Sequence, residues 1–215
     1  MEKITDYGTL KAAFTGEYGY FHRGDIDGMI PVFIQMAQAR INRDLIDNPD
    51  MITLATVDIV AGDRIIALPT DIKKLLNIQV STSGGRKALL QLTPHQMDEM
   101  YADTESGSPL HYAIYGKQIE VQPVTDGDAT LEILYQYKLA EFSADTDTDA
   151  LLTSNPMIYI YAVMLEYFFY SQADERMAVV QKLYDVELDS INTASEDLRY
   201  SGAPLQIISL GGSTP

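Results

Sequence analysis

The sequence predicts an α+β fold: a discontinuous helical bundle with an antiparallel β region inserted between its halves. Three observations predict it. Apolar residues recur at helical spacing near both ends of the chain, over 25–47 and 156–200. From Met51 to Tyr137 the period changes to that of strands, punctuated by glycine turns. Each helical part also leaves an apolar face that only another element can cover, so the two are expected to meet. The expected division is 1–50 and 150–200 for the bundle, 51–149 for the β region with one short helix, and 201–215 for a C-terminal extension.

Tyr7 to Phe14 reads as a short helix, broken by Gly16, Gly19 and Gly24. Arg23-Gly24-Asp25 matches the tripeptide that integrins read, but three residues match by chance, and a turn feeding the next helix is the favoured reading. That helix starts at Asp25 or Asp27 and runs to about Asp47, with Pro31 tolerated in its first turn. Ile30, Phe33, Ile34, Ala37, Ile41 and Leu45 form its apolar face, while Gln35, Gln38, Asn42 and Arg43 stay wet. Asn48-Pro49-Asp50 ends it.

Ile52–Ile59 and Arg64–Leu68 flank Ala61-Gly62-Asp63 and read as one hairpin. Leu76–Thr82 and Lys87–Gln91, around Ser83-Gly84-Gly85, read as a second. Thr93-Pro94-His95-Gln96 is a capping-box pattern that opens a short helix to about Tyr101. After a loop over 103–109, His111–Tyr115, Lys117–Gln122 and Ala129–Tyr137 read as a three-strand meander, turning at Gly116 and at Asp126-Gly127-Asp128. Ser143 to Asp149 reads as a solvated acidic linker.

The C-terminal part is a helical hairpin. Asn155 is the expected N-cap of its first arm and Pro156 suits the first helical position. Ile158, Tyr161, Ala162, Leu165, Phe168 and Phe169 line one face and Tyr159, Val163, Tyr167 and Tyr170 the other, so this arm is apolar nearly all round. Such a helix needs cover on several sides. It is too short and too rich in tyrosine to span a membrane. Asp174 is the expected N-cap of the second arm. Met177, Tyr184, Ile191 and Leu198 fall at seven-residue steps, with Val180, Leu183, Leu188 and Ala194 filling the seam and Gly202 and Pro204 stopping the helix.

A chain of 215 residues with 46% apolar content supports a real core. The absence of cysteine excludes disulfides, thiol chemistry and Cys-based zinc sites. The N-terminus has no signal-peptide pattern, which predicts a product made in a cytoplasm. A formal charge of −16 argues against ordinary nucleic-acid binding, since such a surface repels a phosphate backbone.

No motif assigns catalysis. His22, His95 and His111 are scattered, and none has a second histidine at helical spacing. Asp145, Asp147 and Asp149 alternate like the start of a calcium loop, but Ala150 stands where that loop needs glycine and Pro156 where it needs glutamate. Phosphate-loop, dinucleotide and nucleophile-elbow patterns are absent. Glu166, the one formal charge on the apolar arm, is a candidate acid or base. The favoured reading is pairing with an Arg or Tyr of the bundle, or a place at a subunit boundary.

Several stretches, taken in order, resemble a known family. They are Ile30-Pro31 through Arg40 to Leu45; Ile66-Ala67-Leu68-Pro69 with Asp71; Leu92-Thr93-Pro94; Pro109 with Tyr112, Ile114, Gly116, Ile119, Val121 and Pro123; Leu151-Leu152-Thr153 leading to Tyr161-Ala162 and Leu165-Glu166; and Arg199-Tyr200-Ser201-Gly202 with Pro204-Leu205. Over roughly residues 5 to 205 this order resembles the head-to-tail adaptor (connector) proteins of short-tailed phages, the group that includes the tail tubular protein A type. The resemblance implies a structural virion protein of the neck, without catalytic site or cofactor. It implies self-association into a ring, typically twelvefold, that binds the portal protein, carries the next tail component (nozzle or fibre) and lets DNA pass without specific binding during genome ejection. The competing reading is a soluble enzyme or carbohydrate-binding protein using the β region.

Two expectations follow for assembly. The acidic face of Asp185, Asp189 and Glu196, or the loop from Asp145 to Asp149, would line the channel and keep DNA from adhering. The extension 201–215 has no charged side chain, and Leu205, Ile207, Ile208 and Leu210 lie in a β-prone run suited to adding as a strand on a neighbouring subunit or the portal, the alternative being that it folds back over the subunit's own β region. Glu166 is the further candidate interface residue.

Overall fold

The structure, a computed structural model, describes residues 3–22, 24–46, 48–82, 84–101 and 106–200, without the side chains of 195–200. Its class is α+β, as the periodicity predicts. Helix α1 (Tyr7–Phe14) is set by Asp6, which accepts the Thr9 N–H at 2.8 Å while the Thr9 hydroxyl accepts the Asp6 N–H at 3.1 Å. A 3-10 turn at Asp27–Met29 then leads into α2 (Ile30–Asp44), which has Pro31 in its first turn. This helix stops short of the expected Asp47. Leu45 turns extended and buries its side chain, and its carbonyl accepts Lys73 Nζ at 2.6 Å. The six predicted face residues are all buried. Gln38, expected to be wet, is buried too: it donates to the Ala140 carbonyl at 3.0 Å and accepts the Phe142 N–H at 3.2 Å.

At the other end α4 (Ala150–Ser154), α5 (Pro156–Ser171) and α6 (Asp174–Tyr200) complete the bundle. Asn155 occupies the N-cap position of α5 but its side chain caps nothing, and its amide donates to Ser154 Oγ at 3.0 Å. Ala173, not Asp174, caps α6, since its carbonyl accepts the first helical bond from Met177 N–H. From Ile158 to Phe168 α5 is buried apart from the half-buried Tyr161 and Met164, whereas Phe169 and Tyr170 are exposed at its end. Met177, Val180, Tyr184, Leu188 and Ile191 hold α6 to the core, but Leu183 and Ala194 are exposed rather than in the seam. The Leu198 side chain, Gly202 and Pro204 lie outside the described residues. One core joins α1, α2, α5 and α6, so chain ends far apart in sequence make a single bundle.

The β region is a two-sheet sandwich. Strand β1 (Ile52–Ile59) does not pair with β2 (Ile65–Ala67) as expected. The turn at Gly62 (φ 95°), closed by Asp63 N–H to the Val60 carbonyl, instead carries the chain from one sheet to the other, because Ile59 and Ile66 both bury between the sheets. The first sheet runs β1-β10-β3-β4, with β3 (Ile72–Thr82), β4 (Gly85–Ala88) and β10 (Ala129–Tyr137). The second runs β2-β8-β7-β5, with β5 (Leu90–Gln91), β7 (His111–Tyr115) and β8 (Gln118–Gln122). The β3–β4 hairpin forms about the expected turn, but the strand expected over Lys87–Gln91 is divided: β4 ends at Ala88, and Leu90–Gln91 pass to the second sheet. The expected meander is only a β7–β8 hairpin, for β10 crosses over to lie between β1 and β3. Two short pairings are parallel: β5 with β7, and β6 (Ser106–Gly107) with β9 (Val124–Thr125). Helix α3 (Pro94–Met100) carries the predicted capping box, with Thr93 N–H on Gln96 Oε1 at 3.0 Å and Gln96 N–H on Thr93 Oγ1 at 3.3 Å. Ile78, Val80, Ile119, Val121, Leu131 and Ile133 fill the sandwich, and Tyr137 touches both its core and that of the bundle.

Candidate functional site

The three histidines and the alternating acids of 145–149 make structural contacts. His22 Nδ1 lies 3.2 Å from the Glu17 carbonyl, His95 pairs with Glu99 at 3.4 Å, and His111 Nδ1 meets the Tyr101 hydroxyl at 2.6 Å. Among the described residues no three His, Asp or Glu side chains converge as a metal set. The alternating acids of 145–149 each take a separate partner. Asp145 bonds Lys11, and its carbonyl accepts the Gly8 N–H at 2.8 Å. Asp147 accepts the N–H groups of Ser143 and Ala144 at 2.7 and 2.8 Å, and these bonds, that from Ala144 first, hold its carboxyl below the ordinary range. Asp149 caps α4 by accepting the Leu152 N–H at 2.6 Å and also accepts the Tyr159 hydroxyl, while burial pushes its carboxyl up. The segment expected to be a solvated linker is therefore a strap fastened to α1 and α5.

Glu166 is 6% exposed and bonds Arg40 of α2 through Nε at 2.8 Å and Nη2 at 2.7 Å. Of the two structural readings of this carboxylate, its Arg partner is what the fold provides. The Arg40 side chain is itself partly exposed, so the pair reaches the surface through arginine. Leu205, Ile207, Ile208 and Leu210 lie outside the described residues.

The feature that these groups leave unexplained is apolar. Leu183 is 44% exposed, Val179 60% and Val186 67%, and they recur at i, i+4 and i+7 along α6, continued by Ser190 and Ala194. Met157, Tyr161, Met164 and Phe168 form a stripe on α5 at the same spacing. The two stripes meet on one side of the hairpin. One cleft there is lined by Phe168, Arg176, Val179 and Val180, and another at the opposite end by Asn155, Ser190, Ile191 and Ala194 with Asn48 to Asp50. Glu166 marks the side of α5 that faces α2, and it lies two residues from Met164, about 200° round the helix. The open face therefore points away from α2.

Helix α2 presents a second exposed stripe, Met29, Val32, Met36 and Arg43, on the side opposite its buried Ile30, Ile34, Ala37 and Ile41. Its two bases are both paired, Arg40 with Glu166 at 2.7 Å and Arg43 with Asp44 at 2.9 Å. By contrast α6 carries five acids and two bases from Asp174 to Ala194. Two apolar strips thus stand back to back across the α2–α5 pair, the one on α6 beside an acidic surface. The outer stripe of α6 is written in the sequence as a second i, i+4, i+7 series beside the buried one. Placing Leu183 in the seam hides this second series.

Among the described residues no helix is long and apolar enough to cross a membrane. Residues 5–207 match the family model described as SU10 adaptor protein, which bears out the adaptor resemblance but not its narrower likeness to the tail tubular protein A type. No curated protein matches the chain.

Proposed function

The chain belongs to the SU10 adaptor protein family, one of phage structural adaptors rather than enzymes, and from that premise we propose that copies of it close into a ring in the virion neck, twelvefold as in the adaptors it resembles. The ring binds the portal protein on one side and the next tail component on the other, and DNA passes through its centre. The observation that carries this reading is the α5–α6 face that no other described element covers, with the exposed α2 stripe turned the opposite way. A patch that meets a different patch on the next copy makes a heterologous contact, and such contacts close into a ring where the rotation between copies closes. Glu166 enters the interface through Arg40, on the α2 side of the contact. The exposed acids Asp185 and Asp189, with Glu196 further along α6, supply a negative wall that phosphates do not adhere to. The uncharged segment holding Leu205, Ile207, Ile208 and Leu210 serves assembly rather than folding.

The test mixes the protein with its portal and follows the product by sedimentation and electron imaging. A ring on the portal is the expected outcome. No ring under any condition that keeps both proteins folded overturns the proposal, and a map with these acids on the outer rim around a basic channel overturns the role given to the charge.

A further inference from the structure

We propose that the outer edge of β1 receives residues 205–210 of the adjacent copy as an added strand. The inference rests on the ring reading above, since pairing within one copy would cover the edge without linking copies. β1 ends its sheet, and among the described residues no backbone hydrogen bond reaches its far side. Its eight residues include no Lys, Arg or Pro, the devices that normally blunt an edge, and its one charge, Asp58, accepts the Thr130 hydroxyl at 2.8 Å. The other sheet ends are guarded or brief. β4 carries Arg86 and Lys87, β2 has three residues, and β5 has two.

The flank beside β1 is also apolar. Ala55 and Val57 point into the sandwich yet stay partly exposed, while their cross-strand partners Ile133 and Leu131 are fully buried. Leu54, Val60 and Ile65 are exposed around the same flank, where β1 and β2 are the end strands of their sheets. A strand laid along β1 would pair its free N–H and C=O groups and close the open side of the core. The segment Leu205-Gln206-Ile207-Ile208-Ser209-Leu210 has the chemistry for it: no charge to repel this acidic chain, and two apolar side chains on each face, Leu205 with Ile207 and Ile208 with Leu210. Reach is sufficient. Ser190 and Ala194 of α6 line a cleft with Asn48, Pro49 and Asp50, just before β1 begins. The rest of α6 adds about 9 Å and residues 201–204 about 13 Å more, so the segment begins far enough along the chain from that cleft to leave its own subunit.

Because the chain has no cysteine, single introduced thiols report the pairing cleanly. One pool carries Thr56→Cys in mid-edge; four others carry Gln206→Cys, Ile207→Cys, Ile208→Cys or Ser209→Cys. Each of the four is mixed with the first, assembled on the portal and oxidised gently. The expected result is a disulfide-linked dimer at alternate positions of the four, and none when Lys87→Cys replaces Thr56→Cys. Assemblies without that alternating link overturn this proposal and leave the ring reading standing. An intrachain disulfide in Thr56→Cys/Ile208→Cys that forms in the monomer, with no link between pools, overturns it as well, for the acceptor is then the chain's own edge. If the unsubstituted chain itself makes no assembly, the ring reading falls and this proposal with it.

Discussion

Replacing Tyr159 by Phe tests the joint between the β region and the bundle. The ring is fully buried, 5.8 Å from the Phe142 ring, and the substitution keeps that packing. What disappears is the hydroxyl that donates to Asp149, whose other oxygen caps α4. A hydrogen bond to a charged group contributes about 1.5–3 kcal/mol, so a loss of about 2 kcal/mol is expected at pH 7. For a chain of this size that is about 4–8 °C in Tm. The pH dependence identifies the cause. Burial raises the Asp149 carboxyl above its ordinary 3.8 and the Tyr159 bond lowers it, so the variant's carboxyl lies higher still. A carboxyl raised in the folded state binds protons there that the unfolded state has already released, and stability then falls as pH climbs through its range. In the variant this fall is steeper. The difference from the parent protein should be small at about pH 4, grow as the pH rises and level off near neutrality. Chemical denaturation of both proteins at several pH values measures it. A penalty that is the same at both ends of that range, or under about 0.5 kcal/mol throughout, would refute the role given to this bond.

Arg40→Met should cost about 3–5 kcal/mol by stranding the buried Glu166 carboxylate; denaturation of the double variant Arg40→Met/Glu166→Leu should recover most of that loss. Val179→Ser/Leu183→Ser/Val186→Ser should change monomer stability by only about 0.5 kcal/mol per site. It should weaken subunit association by about 3 kcal/mol in all, roughly a hundredfold, as read by sedimentation. Thr93→Ala removes one bond of the α3 capping box and should lower stability by about 1 kcal/mol, visible by calorimetry. Deleting residues 203–215 should leave the monomer's Tm in place and impair joining to the portal; a much lower Tm with normal assembly would show that the segment belongs to the fold.

How much of this was legible follows from which interactions are local. The helix start at Thr93, the arm from Pro156 to Phe168 and the hairpin at Gly116 depend on residues within a few positions of one another, and capping, periodicity and turn chemistry write them into the sequence. The adaptor family was legible too, in the order of those stretches. Gln38 and Asp149 were misread because polarity predicts exposure only where no distant partner exists. The Ala140 carbonyl and Tyr159 supply those partners across the fold.

The sequence by itself determined the α+β class, that the chain's two ends share a bundle, and that cysteine chemistry has no part in it. Only the tertiary structure decided which strands meet. Alternation along Ile52–Ile59 says that one face is buried but not against which neighbour, and the chain uses its Gly62 turn to change sheets rather than to close a hairpin. The tertiary structure likewise decided that α6 keeps an apolar flank in water. One helix offers two such stripes, and a single α5 beside it covers only one; the other remains because nothing else among the described residues reaches it.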